Sequence, residues 1–309
     1  MTSPTICIIL NTGSGKRDAA STPDNIRAAF AAAGADVDVR LIEDGSQIVA
    51  EAQRAADQGF KTIVAAGGDG TICAVASALR GRDVVMGILP LGTFNYFARS
   101  LDLPAGVEDA AKVIVEGRAV PLRIATINDS VFLNNASLGA YPAILETREA
   151  IYKRWGRSRI AAYWAVVKTL TKVRPPLRLR LTVNGQVRQI RSPIVFVVNN
   201  AFQLKEMAVK GADRIAAGEL VVFVAPDSTR WQMIRHAIVI ALGRGLPDQS
   251  FDILSGKDIL IENTGRASKR THTVARDGER ERLSAPFRLQ VVEGALQVMV
   301  PAAHPDDAR

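Results

Sequence analysis

Two short acidic stretches carry the residue types that phosphate chemistry needs. The first is Gly67-Gly68-Asp69-Gly70-Thr71, which follows an apolar, β-branched run (Thr62 to Ala65) and opens a small, Ala-rich segment of helical character. That order reads as a strand, a tight turn and a helix N-terminus. Glycine admits either positive φ or close backbone approach at such a turn, and the helix beyond it presents unpaired N–H groups and a positive dipole end to an anion. Taken alone, the stretch reads equally well as a simple strand-to-helix turn. The second stretch is Asp277-Gly278-Glu279, set between two strand-like runs. Read in isolation, it is a plain hairpin turn with solvated charges.

The elements around the first stretch strengthen the phosphate reading. In the first third of the chain "TICIIL", "DVDVRL", "KTIVAA" and "DVVMGIL" read as strands, and helical patterns cover Asn25 to Ala33, Ile48 to Asp57 and Thr71 to Leu79. This alternation with short connections predicts a mostly parallel sheet covered by helices. Ligands bind such sheets beyond the carboxyl ends of the strands. Two more glycine-bearing segments fall at those ends: "NTGSGK" (Asn11 to Lys16) after the first strand and "PLGTFNYFAR" (Pro90 to Arg99) after the fourth. Three such loops at one sheet edge predict a phosphate cradle.

Near Val120 the rhythm changes to antiparallel β. "VPLRIATINDSVFLNNAS" alternates around Asn128-Asp129, and "LRLRLTVNGQVRQIRS" alternates around Asn184-Gly185, a strong short-hairpin signal. "GELVVFVA", "KDILIE", "THTVARDGERERL" and "FRLQVVEGALQVMV" continue the pattern, interrupted by helical stretches at about Ala143 to Val173 and after Ser228.

Composition bounds the function. The 309 residues, 48% of them hydrophobic, leave room for two domains with buried cores. Two cysteines, Cys7 and Cys73, lie in apolar segments, which argues against a disulfide framework and for a reducing cytoplasm. The chain lacks a secretory signal pattern and an apolar run of the ~18 residues that a membrane span requires. Its three scattered histidines (His236, His272, His304) exclude a zinc-type cluster. A formal charge of +8 favours anionic partners. Between Tyr141 and Arg180 ten Lys and Arg residues face only Glu146 and Glu149, with Tyr152, Trp155, Tyr163 and Trp164 interleaved. That bias reads as reversible attachment to an anionic membrane surface or, equally, as a solvated helix face whose Trp and Tyr pack into the second domain. No stacking motif or recognition-helix signature points to nucleic acid.

"GGDGT", "LPLGTFNYFAR" (Leu89 to Arg99), "FLNNASLG" (Phe132 to Gly139) and the late "DGE" followed by "APFRLQVVEGALQVMVP" occur in the order seen in the diacylglycerol kinase catalytic-domain family. The chain resembles that family, which includes bacterial lipid kinases and the sphingosine and ceramide kinases, over nearly its whole length. The resemblance implies an α/β N-terminal domain with a parallel sheet like that of NAD kinases and phosphofructokinases, followed by a C-terminal antiparallel β-sandwich. The expected boundaries are 1–122 for nucleotide and 123–309 for lipid, with the extreme C-terminus returning to the first domain. The implied activity is ATP-dependent, Mg²⁺-requiring transfer of the γ-phosphoryl group to a lipid hydroxyl such as that of diacylglycerol, by a cytoplasmic, peripherally membrane-associated enzyme. A homodimer is compatible with this reading.

Carried onto this sequence, the resemblance assigns Gly67, Gly68, Gly70 and Thr71, with Asn11, Ser14, Gly15, Lys16, Gly92, Thr93 and Asn95, to the nucleotide. Phosphoryl transfer asks a protein mainly to position phosphates and balance their charge, which backbone N–H groups, the Ser14 and Thr93 hydroxyls and the Lys16 ammonium supply. Asn11 and Asn95 serve equally as loop-fixing amides. Asp69, Asp277 and Glu279 are the catalytic candidates, with Asp69 and Glu279 also the Mg²⁺ candidates. Asp277 is favoured as the base that accepts the lipid hydroxyl proton, with Glu279 close behind. Three departures stand out: Tyr96 replaces a frequent acidic residue, Thr12 replaces a frequent proline, and Ala216 and Ala217 replace an acidic pair. Alanine offers no side-chain oxygen to Mg²⁺, so the structural metal site of those relatives is expected to be missing. Two rivals remain open, a NAD kinase-like or other soluble-substrate kinase and a non-catalytic lipid or nucleotide sensor of the same fold.

Overall fold

The computed structural model describes residues 5–13, 22–140, 176–206, 208–227, 251–264 and 271–302. The first domain comprises β1 (Ile6–Asn11), α1 (Pro23–Ala32), β2 (Val37–Ile42), α2 (Ile48–Asp57), β3 (Thr62–Gly67), α3 (Asp69–Leu79), β4 (Val85–Pro90), α4 (Tyr96–Ser100) and α5 (Val107–Glu116). The strands order as β2-β1-β3-β4, all parallel. The inner strands β1 and β3, and β4 beside them, are buried on both faces, so their side chains alternate between two cores. Cys7 and Ile9 of β1 pack with α2 and α3, whereas Ile6, Ile8 and Leu10 pack with α1 and α5. This places the carboxyl ends of β1, β3 and β4 side by side.

The second domain holds β5 (Arg118–Ile127), β6 (Ser130–Phe132), β7 (Asn135–Gly139), β8 (Leu177–Val183), β9 (Gln186–Ser192), β10 (Ile194–Val198), two short helices α6 (Ala201–Glu206) and α7 (Ala212–Ala216), β11 (Leu220–Val224), β12 (Asp252–Gly256), β13 (Asp258–Asn263), β14 (Thr271–Arg276), β15 (Glu279–Ser284) and β16 (Phe287–Val300). A six-stranded antiparallel sheet, β12-β11-β10-β7-β14-β15, stacks on β5, β8, β13 and the first half of β16. Between the layers lie Leu138, Val195, Val197 and Val222 on one side and Phe132, Leu181, Ile259 and Phe287 on the other. This is the antiparallel β-sandwich.

Three hairpins close with both central residues at positive φ: Asn128-Asp129, Asn184-Gly185 and Asp277-Gly278. Such turns match the right-handed twist of the strands they join. The third fixes the late acidic pair in space.

One strand belongs to both domains. β16 pairs antiparallel with β13 and β5 through its first half, shifts register between Val292 and Leu296, and then runs parallel to β4 at Gln297 and Val298. β5 follows it throughout, from Arg118 opposite Val300 to Ile127 opposite Leu289. The larger sheet is therefore continuous across the domain join, ten strands in all. Among the described residues no helix is long and apolar enough to cross a membrane. Most of the basic segment from Tyr141 to Arg180 lies outside the described residues; Arg180, on β8, stands 3.8 Å from Glu262 of β13.

Candidate active site

The glycines of the first domain answer a packing demand. Gly67, Gly68, Gly70 and Gly92 all keep ordinary negative or extended φ, so the turn uses close approach and not left-handed backbone. A Cβ on Gly92 would lie 2.5 Å from the Gly68 Cα and 2.6 Å from Asn95 Oδ1, and one on Gly67 would strike the Thr71 side chain at 2.4 Å. The loops after β3 and β4 are thus pressed backbone to backbone, and the Leu91 N–H donates to the Gly67 carbonyl at 2.9 Å.

Two asparagines lock these loops. Asn95, at φ 49°, donates from Nδ2 to the carbonyls of Pro90 and Gly92 and accepts the Gly92 N–H, all at 3.0 Å. Asn11 donates to Thr71 Oγ at 2.9 Å and accepts the Gly13 N–H at 3.0 Å, tying the end of β1 to the first turn of α3. Both amides are therefore engaged in loop geometry. Gly70 and Thr71 lie in the first turn of α3, whose N-cap is Gly68, and Thr93 sits exposed on the neighbouring loop. Ser14, Gly15 and Lys16 lie outside the described residues.

The acidic groups meet where the second domain touches this edge. Asp277 is not a solvated turn residue, as its isolated sequence reading has it. Its Oδ2 accepts the Leu133 N–H at 2.6 Å, and its Oδ1 accepts those of Asn134 and Asn135 at 2.8 and 2.9 Å. The Cys73 thiol of α3 donates to the Val131 carbonyl at 3.4 Å. Burial pushes the Asp277 carboxyl up from its ordinary range, against the downward pull of the three N–H groups. Asp69 Oδ1 accepts the Phe97 N–H and Asn134 Nδ2, each at 3.2 Å. Glu279 is exposed and reaches back to α3, with Oε1 3.3 Å from where a Gly70 Cβ would stand.

Sequence reasoning gave no role to the asparagine pairs Asn134-Asn135 and Asn199-Asn200, which organise this junction. Asn200 donates to Asn134 Oδ1 at 2.7 Å and to the Tyr96 carbonyl at 3.1 Å, Asn199 donates to the Leu133 carbonyl at 3.0 Å, and Asn135 donates to Gln203 at 3.1 Å. All four are buried. A doubled amide at the end of an apolar strand, in "FLNN" and again in "VVNN", is the signal that could have found them: buried amides must be partnered.

Beside these groups opens a cavity of about 490 Å³. Asp69, Asp277 and Asn134 line its polar end, and Tyr96, Phe196, Leu204 and Phe251 belong to its apolar wall. Phe94 and Tyr96 stack with centroids 5.6 Å apart, and Phe223 meets Phe251 edge to face at 6.4 Å. Tyr96, where an acidic residue is frequent, thus adds apolar surface.

Mg²⁺ takes oxygen ligands, and is commonly bound through one or two carboxylates together with substrate phosphates. The donor set here, Asp69 and Glu279 at the N-terminal turn of α3, fits that pattern. Among the described residues no group of three or more His, Cys, Asp or Glu side chains converges to hold a metal without a substrate.

A glycine cradle at the edge of a parallel sheet, with carboxylates delivered to it by a β-sandwich, defines a class of two-domain phosphate-handling proteins. Comparison with known proteins gives the family. Residues 5–127 match the diacylglycerol kinase catalytic domain, and residues 143–300 match the YegS C-terminal NAD kinase beta sandwich-like domain. The chain belongs to the diacylglycerol kinase catalytic-domain family. It is 42% identical over 118 residues to a probable lipid kinase YegS-like protein of Cronobacter sakazakii, covering 37% of this chain and 40% of that one. It is 33% identical over 134 residues to a diacylglycerol kinase of Staphylococcus saprophyticus, covering 43% and 44%. The match thus spans about two fifths of the length of these curated relatives. A crystal structure of a diacylglycerol kinase from Bacillus anthracis superposes with a TM-score of 0.65 at 20% identity, covering 98% of this chain and 99% of that one, which shows a shared fold.

Proposed function

We propose that this protein is an ATP-dependent lipid kinase that transfers the γ-phosphoryl group to the hydroxyl of a lipid alcohol such as diacylglycerol. One observation carries the reading: the apolar cavity has two carboxylates, Asp69 and Asp277, at its polar end, and Asp69 opens the helix that begins at the glycine cradle. A lipid hydroxyl lying there is within the same small volume as a phosphate bound at α3.

The roles follow from the local chemistry. The backbone N–H groups around Gly68, Gly70 and Thr71 hold the phosphates, and the α3 dipole favours their charge. Mg²⁺, entering with ATP, would be held by Asp69 and Glu279 and would offset charge on the phosphates. Asp277 receives the lipid proton. A carboxylate has about four lone-pair sites, three of which take backbone N–H groups here, which leaves one for a substrate hydroxyl. Burial raises the basicity of this carboxyl, which suits the task. Asn134, bonded to both Asp69 and Asp277, fixes their relative position. The basic segment from Tyr141 to Arg180 brings the enzyme to anionic membranes, where its substrate resides; binding to phosphatidylglycerol vesicles that salt does not weaken would contradict this.

The deciding experiment incubates purified protein with labelled ATP, Mg²⁺ and a panel of diacylglycerol, sphingoid bases, ceramide and prenyl alcohols in mixed micelles, with NAD as the soluble control. Label should appear in a lipid and disappear with Asp277→Asn. Label in NAD alone would replace this reading with the soluble-substrate kinase, and binding of ATP without any transfer would replace it with the sensor.

A further inference from the structure

A second cavity, about 310 Å³, lies on the other side of α6. The two cavities share a wall. Gln203 and Leu204 of α6 line the first, whereas Phe202 and Lys205 line the second; Asn134 lines the first and its neighbour Leu133 the second.

The second cavity mixes polar and apolar lining, and its charged groups are mainly basic. Its lining includes Arg99, Arg123 and Lys205 against one acid, Asp102. Arg99 is already engaged, paired with Glu206 at 2.5 Å and stacked over Phe202 at 4.6 Å. Arg123 and Lys205 make no ion pair within 4.0 Å among the described residues. Burial pushes the Arg123 guanidinium down, with Glu293 acting from a distance in the other sense, yet arginine stays charged in proteins. Arg123 spends one N–H on the Ile215 carbonyl, and its fork holds further donors.

We propose that this cavity binds a phosphate monoester of the glycerol phosphate type, with Arg123 and Lys205 meeting the phosphate. A dianion matches two cations free of carboxylates, and guanidinium suits phosphate oxygens. The apolar remainder of the lining, Phe97 and Leu122 among it, accommodates a short aliphatic part. An occupant touches Asn199 and Asn200, whose amides hold Leu133 and Asn134, so it bears on the residues that clamp Asp277 and Asp69. The site is therefore regulatory.

Calorimetry with the full chain tests this without any need for turnover. The probes are glycerol 3-phosphate and, below its micelle concentration, dioctanoyl phosphatidate. The variants are Lys205→Glu and Ala216→Glu, both at exposed positions that line the cavity and lie outside the proposed catalytic groups. At least one probe should bind the parent, and each variant should weaken it by about tenfold or more, through charge reversal at a phosphate site. Tighter binding of the lipid probe would identify a membrane source for the ligand, and equal binding a soluble one. Absence of binding by either probe, or binding that both variants leave unchanged, overturns the site. Saturation with the better probe should also shift the dissociation constant of ATP; a constant unchanged within about twofold would overturn the regulatory role.

Discussion

Asn134 bonds Asp69 with its side chain, at 3.2 Å, and Asp277 with its backbone, at 2.8 Å. The turn that caps the sandwich and the helix that opens the cradle are thereby held at a fixed separation by a single residue. Two further contacts follow the same line, from the Leu133 and Asn135 N–H groups to the Asp277 carboxyl.

Asp277→Asn should therefore lose turnover and stability together. Turnover should fall by about 10²–10⁴, the usual cost of losing a general base. One amide face now meets a backbone N–H with another N–H, so the stability loss should be about 1–3 kcal/mol. Glu279→Gln, at an exposed site, should keep the melting temperature and weaken Mg²⁺-ATP binding. A turnover near the parent's in Asp277→Asn would move the base to Glu279 or Asp69.

The pH profile separates these roles further. Proton acceptance requires the ionised carboxylate, and burial raises the Asp277 pKa. The acid limb of kcat/KM should accordingly lie above the ordinary Asp value of about 3.9 and should persist in Glu279→Gln. An acid limb that moves only in Glu279→Gln would assign the proton to that residue.

Gly92→Ala should be far more damaging than Gly68→Ala. The added methyl at 92 meets backbone at 2.5 Å, whereas at 68 it meets the Gly92 Cα at a tolerable 3.4 Å and the local φ of −88° is open to any residue. Equilibrium dialysis of labelled ATP should show binding lost at 92 and largely retained at 68. Equal losses would mean that the glycines serve the ligand directly and not the contact between loops.

Both cysteines are buried, and burial pushes the Cys7 thiol up to about 12 and Cys73 well above its ordinary value. Neither should react with a disulfide reagent at pH 8 until the protein unfolds. In the unfolded chain these thiols ionise near 8.5, while in the fold they keep their protons. The folded state thus binds more protons in that window, and stability should fall as pH rises from about 8.5 towards 12. Denaturant titrations at pH 8 and 10 would check the sign.

How much of this was legible beforehand differs by element. β1 to β4, the Asn184-Gly185 hairpin and the α2 limits followed from periodicity and turn chemistry, because local sequence suffices for them. The glycine turn was recognised, but its reason, Gly92 against Gly68, joins positions 24 residues apart and depends on how two loops pack. Asp277 shows the limit most clearly. Its neighbours in sequence describe a solvated turn, and its environment comes from residues 133 to 135, more than a hundred positions away. The asparagine pairs escaped for the same cause: an amide's value lies in its partners.

The strand shared by both domains has a consequence for how the protein comes into being. β16 follows the other described strands in chain order, and it supplies the neighbour of β4 in one domain and of β13 and β5 in the other. During synthesis neither half can complete its sheet until Val300 has emerged, so the two halves mature as one cooperative unit.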